Sequence, residues 1–495
     1  MKRRSNKEYL ASELSHFESY PKGWSQLLAW VYPNSYEVGM ANVGYQWLFG
    51  KLKEYQHILT ERFFSTSRKP LSLESNRPLA EYPVVAVSIP YELDILNFLG
   101  TLDRAGIPLF SRDRPEGPIV IGGGDALTLN PFPVADFFDI LVLGDGDQWA
   151  KLFPEILREL PAGLTDKTEI LEAAARIPGA WVPSLEEKEH IRFARTSRDE
   201  PAFTPILTSF GHFRNMFLIE AQRGCPFNCG FCALKWLGGR FYNYPAEKIL
   251  RTYNDFGQSA KRVGLVGSAI AEHNQLDSIL RGYAERGVSI HPSSIRLDRI
   301  SHEALAHLSK SGLKSVTFAP ETASESLAEK VGKWIPPDTI VREAKELQSM
   351  GFREMKLYWI IGLPGETIDN VGEMVSAIRR ITDSCNLKVS CSVNPFIPKP
   401  HTRFSEEPML ADKELSKRFE LLSADLKGIS NLKLDLNYSV RSRLGALLSI
   451  SDNSIAPVLA EIAAGKGIKR SLKDNSIDLD TPIRAPENPP TDRIV

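Results

Sequence analysis

The chain has no uninterrupted apolar run of the roughly 18 residues that a membrane-spanning helix needs. Its first residues, MKRRSNKEYLASELSHFESY, carry no apolar stretch long enough for a signal peptide. The sequence therefore reads as that of a soluble cytoplasmic protein. Net charge is also lacking: 60 Lys and Arg face 61 Asp and Glu, a formal balance of −1. That removes any whole-chain electrostatic reason to expect nucleic acid. Repeats and low-complexity tracts are absent. Cysteine is scarce, five in 495 residues, too few for an oxidised framework and better suited to a reducing compartment in which thiolates remain available as ligands. Histidine is missing from one long stretch, with none between His57 and His190.

Apolar material is ample at 42% of residues, and the length exceeds what one hydrophobic core usually serves. Apolar runs alternate with helix-like stretches through the first part: SQLLAWVYP (25–33), VVAVSIP (84–90), PIVIGGG (118–124) and ILVLGDGD (140–147) read as strands. This alternation predicts an α/β domain over 1–195, a doubly wound parallel sheet with covering helices. In such sheets ligands bind beyond the carboxyl ends of strands. Gly122, Gly123 and Gly124 and, further on, Gly144 and Gly146 fall at such ends, where they serve either a ligand crevice or ordinary turns. The stretch 185–209 reads as a strand running into a linker. A second alternation of six β/α units over 205–405 predicts a partial (β/α)6 barrel, open or only partly closed. Residues 406–495 read as a small helical region ending in a frayed, disordered, proline-rich tail.

The densest chemistry lies in RGCPFNCGFC (223–232). Cys225, Cys229 and Cys232 follow the first strand of the second alternation, which places them in a loop at the carboxyl mouth of the barrel. A C-x3-C-x2-C spacing lets one short loop wrap three corners of a cube, and thiolate is the soft ligand that iron–sulfur clusters prefer. Structural zinc normally takes four protein ligands. Here no second cysteine pair exists, and His212 is the nearest histidine upstream. Cys385 and Cys391 lie far along the chain and read as buried free thiols.

This motif, with the aromatic Phe231 just before its last cysteine and a six-unit β/α domain around it, resembles the radical S-adenosylmethionine (SAM) superfamily. The resemblance implies a 4Fe-4S cluster on the three cysteines, with SAM chelating the fourth iron and being cleaved reductively to a 5′-deoxyadenosyl radical. It also implies a one-electron donor, such as flavodoxin or ferredoxin, as a partner. By the same resemblance, Gly267 in LVGSA approaches the methionyl amino group with backbone, although the usual glycine pair and acid of that motif are missing. Ser294 and Arg296 in SSIRLD take the positions that meet the ribose and the methionyl carboxylate, and Glu321 in FAPETASE is the strand-end glutamate. KLYWIIGLPGET and NPFIPKPHTRF resemble the fifth- and sixth-strand signatures.

Residues from about 25 to 405 resemble the branch of that superfamily with an N-terminal cobalamin-binding-type domain, which implies cobalamin as a further cofactor and methyl transfer as a reaction. The Asp-x-His-x-x-Gly signature of such domains is missing, so cobalamin without a histidine ligand, a different ligand and an empty fold all remain open. A methylthiotransferase-like enzyme is an alternative, but those enzymes hold a second cluster on N-terminal cysteines, and the first cysteine here is Cys225. A non-catalytic iron–sulfur binding protein is another. Nothing in the sequence identifies the substrate.

Overall fold

The computed structural model describes residues 4–15, 17, 21, 23–65, 69–159, 166–185, 191, 193–195, 198–478 and 480–486. They form two compact units, one built from Met1–Phe217 and Leu447–Ile477, the other from Leu218–Ala446 and Asp478–Ala485. Most of the tail expected to be disordered, residues 487–495, lies outside the described residues, as do parts of the 185–209 stretch.

The first unit is organised on six strands: β1 (Gln26–Tyr32), β2 (Ile58–Phe64), β3 (Val84–Ser88), β4 (Ile119–Gly123), β5 (Ile140–Val142) and β6 (Ala180–Trp181). Their order across the sheet is β2-β1-β3-β4-β5-β6. The first five run parallel and β6 closes the edge antiparallel. Both alternations of the inner strands are buried, as a parallel sheet covered on two faces requires: Leu28, Trp30 and Tyr32 on one face, Ala29 and Val31 on the other. Trp30 stacks on Tyr45 and Trp149 from the helices Val43–Lys53 and Asp147–Glu159 (ring centroids 5.5 and 6.0 Å apart), an aromatic seam through the core.

The sequence reading has no counterpart to β2. Its segment, ILTERFF, carries Glu61 and Arg62 in mid-strand, and both are buried. Burial is tolerated because Arg62 is paired with two carboxylates and Glu61 is hydrogen-bonded through Oε2. Arg62 donates to Glu13 at 2.7 Å and Glu74 at 2.6 Å, and Glu61 accepts from Ser75 and Tyr82.

In the second unit the expected parallel strands are present: β7 (Met216–Glu220), β8 (Arg262–Val266), β9 (Ser289–Pro292), β10 (Ser315–Glu321), β11 (Glu354–Ile361) and β12 (Lys388–Pro395). A seventh, β13 (Leu432–Leu436), pairs parallel with β12. It arises within the stretch read as helical, which is corrected here: LKLDL alternates apolar and polar residues, and an edge strand needs only one apolar face. The strands fall into two sheets, β9-β8-β7 and β10-β11-β12-β13. A hydrogen bond from the Ile295 amide to the Thr317 carbonyl (3.0 Å) bridges the break between them. Every strand-end residue singled out in this unit lies at or beyond the carboxyl end of its strand.

Among the described residues no helix is long and apolar enough to cross a membrane.

Candidate functional site

The cysteine loop is closed at its base by two short antiparallel strands, Gln222–Arg223 and Tyr242–Asn243. Gly224 has φ +72°, and a Cβ there would lie 2.9 Å from the Gly239 carbonyl oxygen. A Cβ on Gly238 would lie 2.3 Å from the Gly224 Cα, so the two limbs of the loop touch backbone to backbone. The Ser268 hydroxyl, just past β8, donates to the Gly224 carbonyl.

The middle of the loop is pinned at Gly230. Its amide donates to the Val331 carbonyl (2.7 Å), and its carbonyl accepts from the Phe404 amide (2.9 Å). A Cβ at Gly230 would lie 2.6 Å from the Phe404 ring. Phe231 packs against Val331, Leu363, Phe396 and Phe404, so its aromatic ring anchors the cysteine loop to the ends of several later elements. Arg403 donates to the carbonyls of Asn228 (3.2 Å) and Val331 (2.9 Å).

Cys225, Cys229 and Cys232 are partly exposed free thiols. Burial raises the Cys229 thiol above its ordinary range, and pushes Cys232 up to about 11. The charges of Lys333, Glu321 and Arg296 all act on Cys229, and Cys225 is near enough to act on it as well. The fold thus brings Arg296, Glu321 and Lys333 within electrostatic range of Cys229. Among the described residues no three His, Cys, Asp or Glu side chains converge on a single metal ion. Ligands of a four-iron cube sit on different irons and need no such convergence.

Glu321 stands at the end of β10 with φ +69°, a left-handed conformation that costs a non-glycine residue energy and recurs at functional sites. The register of β10 against β11 shifts between Phe318 and Glu321, re-aiming the side chain. Its carboxylate is buried, which raises its pKa, and it accepts a hydrogen bond from Lys333 Nζ at 2.8 Å. Sequence reasoning missed Lys333. It follows the αL turn at Gly332 on the far side of the helix Glu325–Val331, where no strand-end signal points.

Arg296 lies over the Phe227 ring of the cysteine loop, 4.1 Å from its centroid, and pairs with Asp298. Ser294 is exposed beside it. Gly267 accepts a hydrogen bond from the Ser293 hydroxyl (2.5 Å) on its carbonyl. A Cβ there would lie 2.7 Å from Ile270 Cδ1 and 2.8 Å from Gln222 Oε1, so packing alone accounts for a glycine at this position. Cys385 and Cys391 are buried, and burial pushes the Cys391 thiol up to about 12, the mark of an inert thiol.

In the first unit each glycine singled out at a strand end meets its own chain. A Cβ on Gly122 would strike Phe138 and Leu127, on Gly124 the Ile89 carbonyl, on Gly144 the Ala194 carbonyl and on Gly146 the Leu48 side chain. Gly123 is less crowded, 3.4 Å from the Val142 carbonyl oxygen. The strand order puts the topological switch point between β1 and β3; the glycines of β4 lie one strand over, with Gly124 against Ile89 just past β3, and those of β5 lie further off. Beyond β1 and β3 Asn34 donates to Asp94 (3.1 Å), and Asn97 to the Pro33 carbonyl (2.9 Å). No reading of the sequence had singled out this polar cluster, because strand order is not visible in a linear pattern.

Residues 44–183 match the family model for the N-terminal domain of radical SAM proteins, and residues 219–378 that for the radical SAM superfamily. An uncharacterised protein of Methanocaldococcus jannaschii is 26% identical over 399 residues, 79% of this chain and 82% of its own length. The bacteriochlorophyllide d C-8(2)-methyltransferase of Chlorobaculum tepidum is 24% identical over 170 residues, which are 32% of this chain and only 34% of that enzyme. Among solved structures, the cobalamin-dependent SAM radical enzyme OxsB, with aqua-cobalamin and SAM bound, shares the fold. It has a TM-score of 0.51 and 12% identity, over 91% of this chain and 70% of that one. With the two domain matches falling in sequence, and the second enclosing the three-cysteine loop, the chain is an enzyme that belongs to the radical SAM superfamily.

Proposed function

We propose that Cys225, Cys229 and Cys232 hold a 4Fe-4S cluster at which SAM is cleaved reductively to begin radical chemistry. The observation that carries this reading is the gathering of three thiols, with no fourth, in one short loop at the carboxyl mouth of the parallel strands, within reach of Arg296, Glu321 and Lys333. The donor set fits: thiolates are soft ligands, and three of them leave one iron of a cube open to a small-molecule chelate. The bound cluster would supply the electron that splits the SAM sulfonium. Arg296 would pair with the methionyl carboxylate, Ser294 would meet the ribose, the Gly267 backbone would face the amino group, and Glu321 would border the same chamber. The electron comes from a small reductant such as flavodoxin or ferredoxin, and the partly exposed thiol ligands suit a reducing cytoplasm. Anaerobic reconstitution with iron and sulfide tests the assignment: about four irons per chain are expected, lost when all three cysteines become alanine. Retention of the iron by that variant would move the cluster elsewhere.

The finer reading is methyl transfer to an unactivated carbon with cobalamin. It is supported by the OxsB fold likeness and by the methyltransferase similarity over the matched segment. The β2-β1-β3-β4-β5 order, which offers a crevice at the carboxyl ends of β1 and β3, supports it too. The glycines at the ends of β4 and β5 add little to this reading, since most are packed by their own chain. No histidine lies between His57 and His190, so this stretch offers a corrin no lower imidazole. Titration with hydroxocobalamin, followed by gel filtration and paramagnetic resonance of the cobalt(II) form, separates the outcomes. Retained corrin without nitrogen hyperfine structure from a protein histidine is expected; loss of the corrin on the column would remove cobalamin and leave SAM cleavage standing. The methylthiotransferase alternative needs a second cluster on N-terminal cysteines, and none precedes Cys225.

A further inference from the structure

The guanidinium of Arg296 is held on two sides. Its flat face rests on Phe227, 4.1 Å from the ring centroid, and Phe227 stands between Cys225 and Cys229 in the cysteine loop. Its side edge is forked onto Asp298: Nε donates to Oδ1 at 3.0 Å and Nη2 to Oδ2 at 2.7 Å. The segment that presents both residues is itself fixed. Ile295 and Leu297, on either side of Arg296, are buried, the Ile295 amide is tied to Thr317, and the Arg299 and Ile300 amides turn back to the Arg296 carbonyl. Asp298 is also approached by Arg299 at 3.6 Å, and Arg299 in turn lies 3.6 Å from Glu272. A guanidinium has a second two-pronged edge, formed by Nη1 and the remaining N–H of Nη2. That edge has no partner among the described residues, while the side chain as a whole is only 12% exposed.

We infer that Asp298 is a positioning residue for SAM: it holds Arg296 flat on Phe227, so that the free edge is already oriented for a carboxylate. The inference rests on the proposal that Arg296 meets the methionyl carboxylate. Its physical content is preorganisation. An arginine side chain left to itself loses rotamer freedom on binding a carboxylate, and Phe227 and Asp298 remove most of that freedom beforehand. The cost is electrostatic, because Asp298 partly neutralises the cation that the ligand must find. The two effects have opposite signs, and that makes the proposal testable.

The experiment measures SAM affinity by equilibrium dialysis on iron-loaded protein, with decarboxylated SAM as the control ligand and iron content as the check on folding. Asp298→Ala should weaken SAM about three- to tenfold, with Asp298→Glu recovering part of the loss. Decarboxylated SAM should bind the wild type and both variants alike, which a merely damaged fold would not allow. In an Arg296→Ala background, Asp298→Ala should have no further effect, because the residue acts through the arginine. If Arg296→Ala weakens SAM while Asp298→Ala leaves it unchanged or tighter, Asp298 is a bystander or a competitor and the inference is overturned. If Arg296→Ala itself leaves SAM affinity unchanged, the placement of the carboxylate fails first and takes this inference with it.

Discussion

Glu321 and Lys333 show how much one buried pair can ask of a backbone. Both side chains are about nine-tenths buried, and the glutamate accepts a left-handed φ of 69° to reach its partner. Removing one member of such a pair strands the other, at a cost of about 3 kcal/mol or more. Lys333→Met should therefore lower stability in urea unfolding by that order, and adding Glu321→Gln should restore much of it. A neutral effect of the single change would mean that the carboxylate is not truly desolvated. Glu366 gives a second test at this scale. Its carboxylate accepts from the Gly362 amide and lies 3.2 Å from Arg418 Nε as an ion pair, yet burial pushes its pKa up to about 7 from 4.5. A carboxyl that holds its proton more tightly when folded stabilises the fold below the unfolded pKa, and that contribution fades as pH rises towards the folded one. Stability should fall by up to about 3 kcal/mol between pH 4.5 and 7 from this group. Glu366→Gln should remove that part of the slope, and an identical pH profile in the variant would contradict the assignment. The alternation marks where strands end, and Arg296 and Glu321 were singled out there by the family resemblance. Lys333 and Asp298 were not, because each acts through a partner that only the folded chain brings to it.

Among the elements, the cysteine loop depends on glycine more than its motif suggests. Gly230 faces the Phe404 ring at a distance no Cβ tolerates, and that contact carries the segment after β12 onto the loop after β7. Gly230→Ala should lower iron loading by displacing the loop, and Gly230→Ala with Phe404→Leu should recover part of it by making room. Full iron loading in the single variant would show that the ring yields freely. C-x3-C-x2-C could be read from spacing, but the need for glycine at 224, 230 and 238 could not, since each approaches a segment remote in sequence or on the opposite limb of the loop. The missed strands divide the same way. β13 had an alternating pattern that was readable, whereas β2 hides behind Glu61 and Arg62, whose burial makes sense only once Glu13, Glu74 and Tyr82 are in place.

For the whole molecule, sequence order and structural membership part company near the C-terminus. The residues of β13 extend the sheet of the second unit, while Leu447–Ile477 belongs to the first. There Ala456–Ala463 packs beside the helix Asp94–Ala105, and the Asn130 amide donates to the carbonyls of Leu448, Ser449 and Ser451. An amphipathic helix advertises that it has an apolar face but not which core will receive it. The central proposal concerns the second unit, whose thiols would hold the cluster beside a SAM chamber so that the reaction would begin with an electron. The most direct test incubates iron-loaded, anaerobic protein with SAM and dithionite and measures 5′-deoxyadenosine. The account predicts that the nucleoside forms with the wild type and is abolished in the variant with Cys225, Cys229 and Cys232 all changed to alanine. No 5′-deoxyadenosine from the fully loaded wild type, or equal amounts from the triple variant, would contradict it.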